Sequence, residues 1–340
     1  MIRLRTVLTS LAAATLAATL LPLGAASSTA LPGTVGSAGS DPAVLPEDRL
    51  LETGLEYVAL GDSWTANVVL VNRQGPPDST YAPIDCAQSY VNYPKLLAEA
   101  LSVGEFRDAS CGSATTDDFY EPQTGLPLGG TNPPQFDRLT ATTDLVTVGI
   151  GGNDAGISSA GLDCLNIVPA ETPLSDSGQG LPFGGCKAKY VVDGEDTIAQ
   201  RIRESETKLV RAFRAIHRIA PGARILAVDY IDVIPRRGCY PTVPATDEDM
   251  RWISTKLRQL NRMIKRAAER GGAAYVDTFR RTPRDADLCG DPNVRWAEVY
   301  GPSVNDPGVV VPAHPNAAGA RGQAAAILDH IRDTDSDVYR

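Results

Sequence analysis

Four short stretches carry residues able to act together on a carbonyl group: Gly61-Asp62-Ser63, Ser110-Cys111-Gly112-Ser113, Gly149-Ile150-Gly151-Gly152-Asn153-Asp154 and His314-Pro315-Asn316. Acyl transfer requires a hydroxyl nucleophile, an imidazole that takes its proton, and hydrogen-bond donors aimed at the developing oxyanion. Ser63 offers the hydroxyl, His314 the imidazole and Asn153 a side-chain amide. Backbone N–H groups of Ser63 and of the Gly112 stretch can complete the donor set. Each stretch alone has a plainer account. Asp62-Ser63 can be an N-cap pair, Gly112 a turn glycine, and Gly151 to Asp154 a loop with an Asx-turn. His314, set between Pro312 and Pro315, can be an ordinary surface histidine. Four such stretches in this order are better explained as one constellation. The G-x-G-x-x-G dinucleotide spacing fails at the third stretch. No G-x-S-x-G elbow occurs, which disfavours an α/β-hydrolase architecture.

The elements that must position these residues are legible from periodicity. Tyr57, Val58 and Leu60 suit a buried parallel strand, and Gly61 permits the tight turn that lifts Ser63 to the sheet edge at the start of a helix. Such a position favours a hydroxyl through the helix dipole and free backbone N–H groups. Five strands are expected, at Tyr57–Leu60, Phe106–Ala109, Leu145–Ile150, Arg224–Val228 and Ala273–Val276. Helices are expected over Ser89–Leu101, Thr197–Ile219, Asp247–Arg270 and Asn316–Ile331; in the third, Ile253, Leu257, Leu260, Ile264 and Ala267 form one apolar stripe. Alternating strands and helices predict an α/β fold, a doubly wound parallel five-stranded sheet with flanking helices. If the first three strands are neighbours, the first three stretches share one sheet edge, and the last loop brings His314 over them. Gly161–Lys189 reads as a stapled loop and Arg281–Pro312 as a second long irregular stretch. Val68-Val69-Leu70-Val71 can line an acyl pocket or pack in the core.

The ends and the composition place the chain. Arg3 and Arg5, the apolar run Val7–Leu23 and the small residues up to Ala30 predict a secretory leader over 1–30. A Gly/Ser/Pro-rich spacer is expected over 31–54, one catalytic domain over 55–333 and a tail over 334–340. Removing the leader moves the formal charge from −9 to −11, which argues against a nucleic-acid partner. Six cysteines in an exported chain predict disulfides, and the sequential pairs Cys86–Cys111, Cys164–Cys186 and Cys239–Cys289 would each staple an irregular stretch. No C-x-x-C pair occurs and the three histidines lie far apart, so neither a metal nor a cofactor is expected.

Taken together, Gly61-Asp62-Ser63, the Gly112 region, Gly149-Ile150-Gly151-Gly152-Asn153-Asp154 and His314-Pro315-Asn316 resemble the ordered blocks of GDSL-type esterases and lipases of the SGNH hydrolase superfamily, particularly secreted, disulfide-containing actinobacterial lipases. The resemblance covers about Leu55 to the last helix and implies a flavodoxin-like three-layer sandwich. It implies that Ser63 is the nucleophile and His314 the general base, with the oxyanion held by the Ser63 and Gly112 N–H groups and the Asn153 amide. The register of the second block leaves Ser113 as an alternative donor. Trp64 stands where the family name implies Leu. The family's Asp three residues before the His is here Val311. The Val311 carbonyl is therefore expected to orient the ring, with Asp306 as a rival acid. The implied function is secreted carboxylic-ester hydrolysis by a monomer, on a small-molecule or lipid ester, with transient contact to a lipid surface. Polysaccharide deacetylation, acyl transfer, or a silent glycan- or lipid-binding module on the same fold remain alternatives.

Overall fold

In the computed structural model the described residues are 54–165, 185–239, 241–299, 301–304 and 308–337. The leader and nearly all of the spacer expected over 1–54 lie outside them, as does Asp306. Five strands form the main sheet: β1 (Glu56–Gly61), β2 (Glu105–Asp108), β3 (Leu145–Gly149), β4 (Arg224–Val228) and β5 (Ala274–Val276). Every pairing is parallel and the order is β2-β1-β3-β4-β5, the flavodoxin-like arrangement. The α-helices are α1 (Ser63–Ala66), α2 (Tyr93–Ala100), α3 (Ile157–Leu165), α4 (Cys186–Tyr190), α5 (Thr197–Ile219), α6 (Asp247–Gly271), α7 (Thr278–Arg281) and α8 (Ala317–Asp337).

Strand alternation sorts the core into two layers. Tyr57, Ala59, Leu145, Leu226 and Val228 pack with α2 and α8, through Leu97 and Ile327. Val58, Leu60, Val146, Val148 and Ile225 pack with α5 and α6, through Ile198, Phe213, Leu257 and Ile264. Register is pinned by polar partners as well as by apolar ones. The buried Tyr57 hydroxyl bonds Thr147 Oγ1 at 2.8 Å. A one-residue slip of β1 would turn Tyr57 into the other layer and leave that hydroxyl unpaired, at a cost of ~1–3 kcal/mol. The same register sets Gly61 beside Gly149 and Ala59 beside Asp108, so the carboxyl ends of β1, β2 and β3 adjoin.

Several boundaries differ from those read in the sequence. α2 starts at Tyr93 because Asn92 caps it, its side chain accepting the Lys95 N–H at 3.0 Å. α8 continues past Ile331 and into the expected tail as far as Asp337, with Thr334 Oγ1 donating to the His330 carbonyl at 2.7 Å. The stretch expected as a loop from Gly161 is helical at both described ends, α3 and α4, which Cys164–Cys186 ties together. The structure also forms Cys86–Cys111 and Cys239–Cys289. Cross-links spanning 22 to 50 residues restrict the unfolded chain by roughly 3–4 kcal/mol each in the loop-entropy account. Among the described residues no helix is long and apolar enough to cross a membrane.

Candidate active site

Ser63 sits one residue past the turn that ends β1. A Cβ on Gly61 would lie 2.2 Å from Thr65 Oγ1 and 2.6 Å from the Gly149 carbonyl, so only glycine permits this approach of β1, α1 and β3. Asp62 caps α1, its Oδ1 accepting the Trp64 N–H at 2.9 Å. α1 is only four residues long and stops at Asn67, which is left-handed at φ 51°. The helix-dipole benefit expected for Ser63 thus shrinks to that of a single turn. What remains is the Ser63 N–H itself, which as the first helical donor has no acceptor among the described residues.

A small ladder brings the imidazole to the serine across 251 positions of chain. Val69–Val71, just after α1, pairs antiparallel with Val309–Val310, and the Val311 N–H donates to the Val68 carbonyl at 3.3 Å. His314–Pro315 in turn pairs with Ala297–Glu298. Asn316 anchors the end of the motif: its Nδ2 donates to the buried Glu298 carboxylate and to the Arg295 carbonyl, each at 2.9 Å. Its Oδ1 accepts the Ala318 and Gly319 N–H groups that open α8. The outcome is a contact of 2.8 Å between His314 Nε2 and Ser63 Oγ, with the two residues 9% and 7% exposed.

The carbonyl that hydrogen-bonds the ring is Pro312's, with the expected Val311 carbonyl still acting on the ring beside it: His314 Nδ1 lies 2.8 Å from the Pro312 oxygen, and both carbonyls favour the protonated imidazole. The correction has a turn-geometry cause. The Val311 carbonyl accepts the His314 backbone N–H at 3.2 Å, with Pro312 second and Ala313 third in the turn at φ 59°. Proline at the second position and a positive φ at the third are the features of a type II turn. That turn draws the Val311 oxygen to the His314 backbone N–H and presents the Pro312 oxygen to Nδ1. A carbonyl only accepts, so Nδ1 carries the hydrogen and Nε2 is the acceptor facing the Ser63 hydroxyl. Burial pushes His314 down from 6.5 to about 4, and the backbone carbonyls of Pro312 and Val311 oppose that only in part.

The oxyanion side needs a second correction. The Gly112 N–H, expected to face the oxyanion, donates to the Cys86 carbonyl at 3.1 Å. The Cys86–Cys111 bridge holds these two segments together and so consumes that donor. The Ala114 N–H closes a turn on Cys111, with Ser113 at φ 63°, and the Ser113 N–H has no acceptor among the described residues. The loop after β3 supplies Asn153. Its Nδ2 donates to the Ala114 carbonyl at 2.9 Å and its Oδ1 accepts from Ser158 Oγ at 2.6 Å, which fixes the amide and leaves one Nδ2 hydrogen. Asp154 ties this loop to the Thr116 backbone and hydroxyl.

Tyr230 is a neighbour that sequence reasoning missed. It follows β4, contacts Trp64 edge-on at 5.1 Å between ring centres, and hydrogen-bonds both Asp62 and Gly152. The Trp64 ring also lies 6.2 Å from that of His314. Burial raises Asp62 to about 7, opposed mainly by the Tyr230 hydroxyl. Of the apolar run after the serine, Val68 and Val69 are core, whereas Leu70 is 61% exposed and Val71 is also open. Among the described residues no group of three His, Cys, Asp or Glu side chains is placed to hold a metal ion. A cleft of about 430 Å³ lined by Asp78, Tyr81, Tyr90, Lys95 and Phe106 lies beside α2 and includes none of these site residues.

The family model of the GDSL-like Lipase/Acylhydrolase family matches residues 59–321, from within β1 to the start of α8. The chain belongs to that family. It is a carboxylic ester hydrolase of the GDSL type, as the motif resemblance implied. Lipase 2 of Streptomyces coelicolor is 33% identical over 281 residues, 81% of this chain and 85% of the relative. An Esterase of Streptomyces scabiei is 27% identical over 328 residues, 89% of this chain and 91% of the relative. An extracellular lipase from Streptomyces rimosus shares the fold at a TM-score of 0.60 and 23% identity, covering 81% of this chain and 99% of that structure.

Proposed function

We propose that this GDSL hydrolase cleaves its ester through an acyl-enzyme on Ser63, with His314 as the base. The observation that carries the reading is the buried 2.8 Å contact between Nε2 and Oγ. The Ser63 Oγ–H donates to Nε2, and as Oγ attacks the ester carbonyl carbon its proton passes to the ring. The imidazolium keeps its Nδ1–H on the neutral Pro312 carbonyl, which orients the ring but stabilises the positive charge less than a carboxylate would. The tetrahedral oxyanion rests on the Ser63 N–H, the free Asn153 Nδ2 hydrogen and the Ser113 N–H in place of Gly112's. His314 then hands the proton to the departing alcohol oxygen. Water repeats the sequence on the acyl-enzyme and releases the acid.

The substrate is an acyl ester, simple or lipid; relatives named lipase and esterase support that class. Exposed Leu70 and Val71, on the ladder shared with the histidine segment, are suited to transient contact with the acyl chain or a lipid surface. Export is supported by the leader-like residues 1–30 and by three disulfides in one chain. The test is hydrolysis of p-nitrophenyl butyrate by Ser63→Ala and His314→Ala, each shown to be folded. Loss of ~10³-fold or more in kcat is expected for both. Retention of a tenth of wild-type turnover by either variant would remove that residue from the mechanism.

A further inference from the structure

Behind the nucleophile turn lies a buried phenol that takes no part in the proton transfers. Tyr230 is 5% exposed, and its backbone is clamped by Asn261 of α6. The Tyr230 N–H donates to Asn261 Oδ1 at 3.2 Å, and Asn261 Nδ2 donates to the Tyr230 carbonyl at 2.7 Å. Its hydroxyl accepts the Gly152 N–H at 2.8 Å and makes a short hydrogen bond to Asp62 Oδ2. With Asp62 ionised the polarity is fixed: the carboxylate can only accept and the Gly152 N–H can only donate, so the phenol hydrogen goes to Asp62, which accepts at both oxygens, from Tyr230 and from the Trp64 N–H. Asp62 immediately precedes Ser63, and Gly152 immediately precedes Asn153. One oxygen atom therefore joins the turn after β1 to the loop after β3. The approach is close: a Cβ on Gly152 would lie 2.9 Å from that oxygen.

We infer that Tyr230 is a positioning residue for ester hydrolysis: its hydroxyl holds the Ser63 turn at a fixed separation from the Asn153 loop. The inference rests on Ser63 as nucleophile and Asn153 as oxyanion donor. A catalytic group must meet the transition state at one geometry, and a displacement of about 1 Å can cost ~10²-fold. A bond that only stabilised the fold would change melting and leave kinetics alone. A bond that fixes this separation acts in the transition state and lowers kcat with little change in KM.

Asp62 supplies a second readout. The titratable groups facing it are Tyr230 at the end of β4, Asp154 on the loop after β3 and Tyr93 on α2, with His314 contacting the same Trp64; none is a permanent cation. Burial therefore holds Asp62 at about 7, and the Tyr230 hydroxyl is the strongest influence opposing it. A protonated Asp62 still accepts from the Trp64 N–H but no longer needs the phenol hydrogen. Its protonation should give a shallow acid-side step in the rate near pH 7. Without the phenol the carboxyl is harder to ionise, so the step moves to higher pH.

The test compares wild-type enzyme with Tyr230→Phe on p-nitrophenyl butyrate, with Ser63→Ala as reference. The ring keeps its place against Trp64, so the variant should fold. kcat should fall ~10–100-fold with KM within about threefold, and the step should move upward. Unchanged kcat with an unmoved step overturns the inference. So does a loss of kcat matched by a smaller folded fraction with the step unmoved. If Tyr230→Phe does not fold, Asp62→Ala, which leaves the Tyr230 hydroxyl no partner on the Ser63 turn, decides: a similar loss of kcat with KM nearly unchanged and disappearance of the step support the link, and wild-type kcat overturns it. If Ser63→Ala itself hydrolyses the ester, the nucleophile reading fails and takes this inference with it. If only Tyr230→Phe is without effect, the nucleophile reading stands.

Discussion

His314 should remain a working base well below the pH at which an ordinary imidazole is protonated. Burial displaces it from 6.5 to about 4, and no charged partner restores it. At ~1.4 kcal/mol per pH unit, the displacement amounts to about 3 kcal/mol against the imidazolium in the resting enzyme. With His314 as the proposed base the neutral ring is the active form, so the lowered value extends activity toward acid. At about pH 5.5 an ordinary histidine is neutral in only about a tenth of molecules, whereas His314 should be neutral in nearly all. The assay is kcat/KM for p-nitrophenyl butyrate from initial rates between about pH 3 and 8, followed at the isosbestic wavelength of the leaving group. The expected profile has the shallow step from Asp62 near 7, then a plateau, then a fall that approaches tenfold per unit only below about 4. The same burial acts on stability. The unfolded chain protonates His314 at 6.5 and the folded chain only near 4, so stability present above 6.5 is lost as pH falls between them. Samples returned to neutral pH must therefore regain full rate. A single limb falling tenfold per unit from 6.5 downward would refute the burial argument, and would point to a charged acid beside the ring.

Two further outcomes follow from the same geometry. Asn153→Ala should lower kcat on the same ester by ~10²–10³-fold with KM nearly unchanged, since one oxyanion donor is removed; a loss below about threefold would exclude its amide from the oxyanion site. Gly61→Ala should prevent accumulation of folded protein, because the new Cβ would meet Thr65 and the Gly149 carbonyl at 2.2 and 2.6 Å; a soluble variant melting within a few degrees of wild type would contradict the close approach there.

The sheet and the long helices were legible because their information is local and periodic. The apolar stripe from Ile253 to Ala267 specifies α6 without reference to the rest of the chain, and β4 spans the residues expected for it. The Ser63 and His314 segments were legible as motifs, since Gly-Asp-Ser, Gly-x-Asn-Asp and His-Pro-Asn occur together and in order. What escaped depends on contacts between distant residues. Nothing near Gly112 announces that its N–H belongs to Cys86, although pairing Cys86 with Cys111 already brought the two segments together. The Pro312 carbonyl was missed because Ala313 takes a left-handed turn position that alanine rarely adopts, so Pro312 was the turn's one mark in the sequence. Tyr230 left no signal at all. A lone tyrosine after a strand becomes informative only when β3 and β4 are adjacent and its hydroxyl is seen between Asp62 and Gly152.

The central claim, an acyl-enzyme on Ser63, is tested most directly by trapping the intermediate. Wild-type protein mixed with excess p-nitrophenyl butyrate and acid-quenched early in turnover should gain the mass of one butyryl group. Peptide mapping should place that group on the fragment containing Ser63, and Ser63→Ala should gain none. An active wild-type enzyme whose butyryl group maps to another residue, or a Ser63→Ala variant that still accumulates the adduct, would contradict the account.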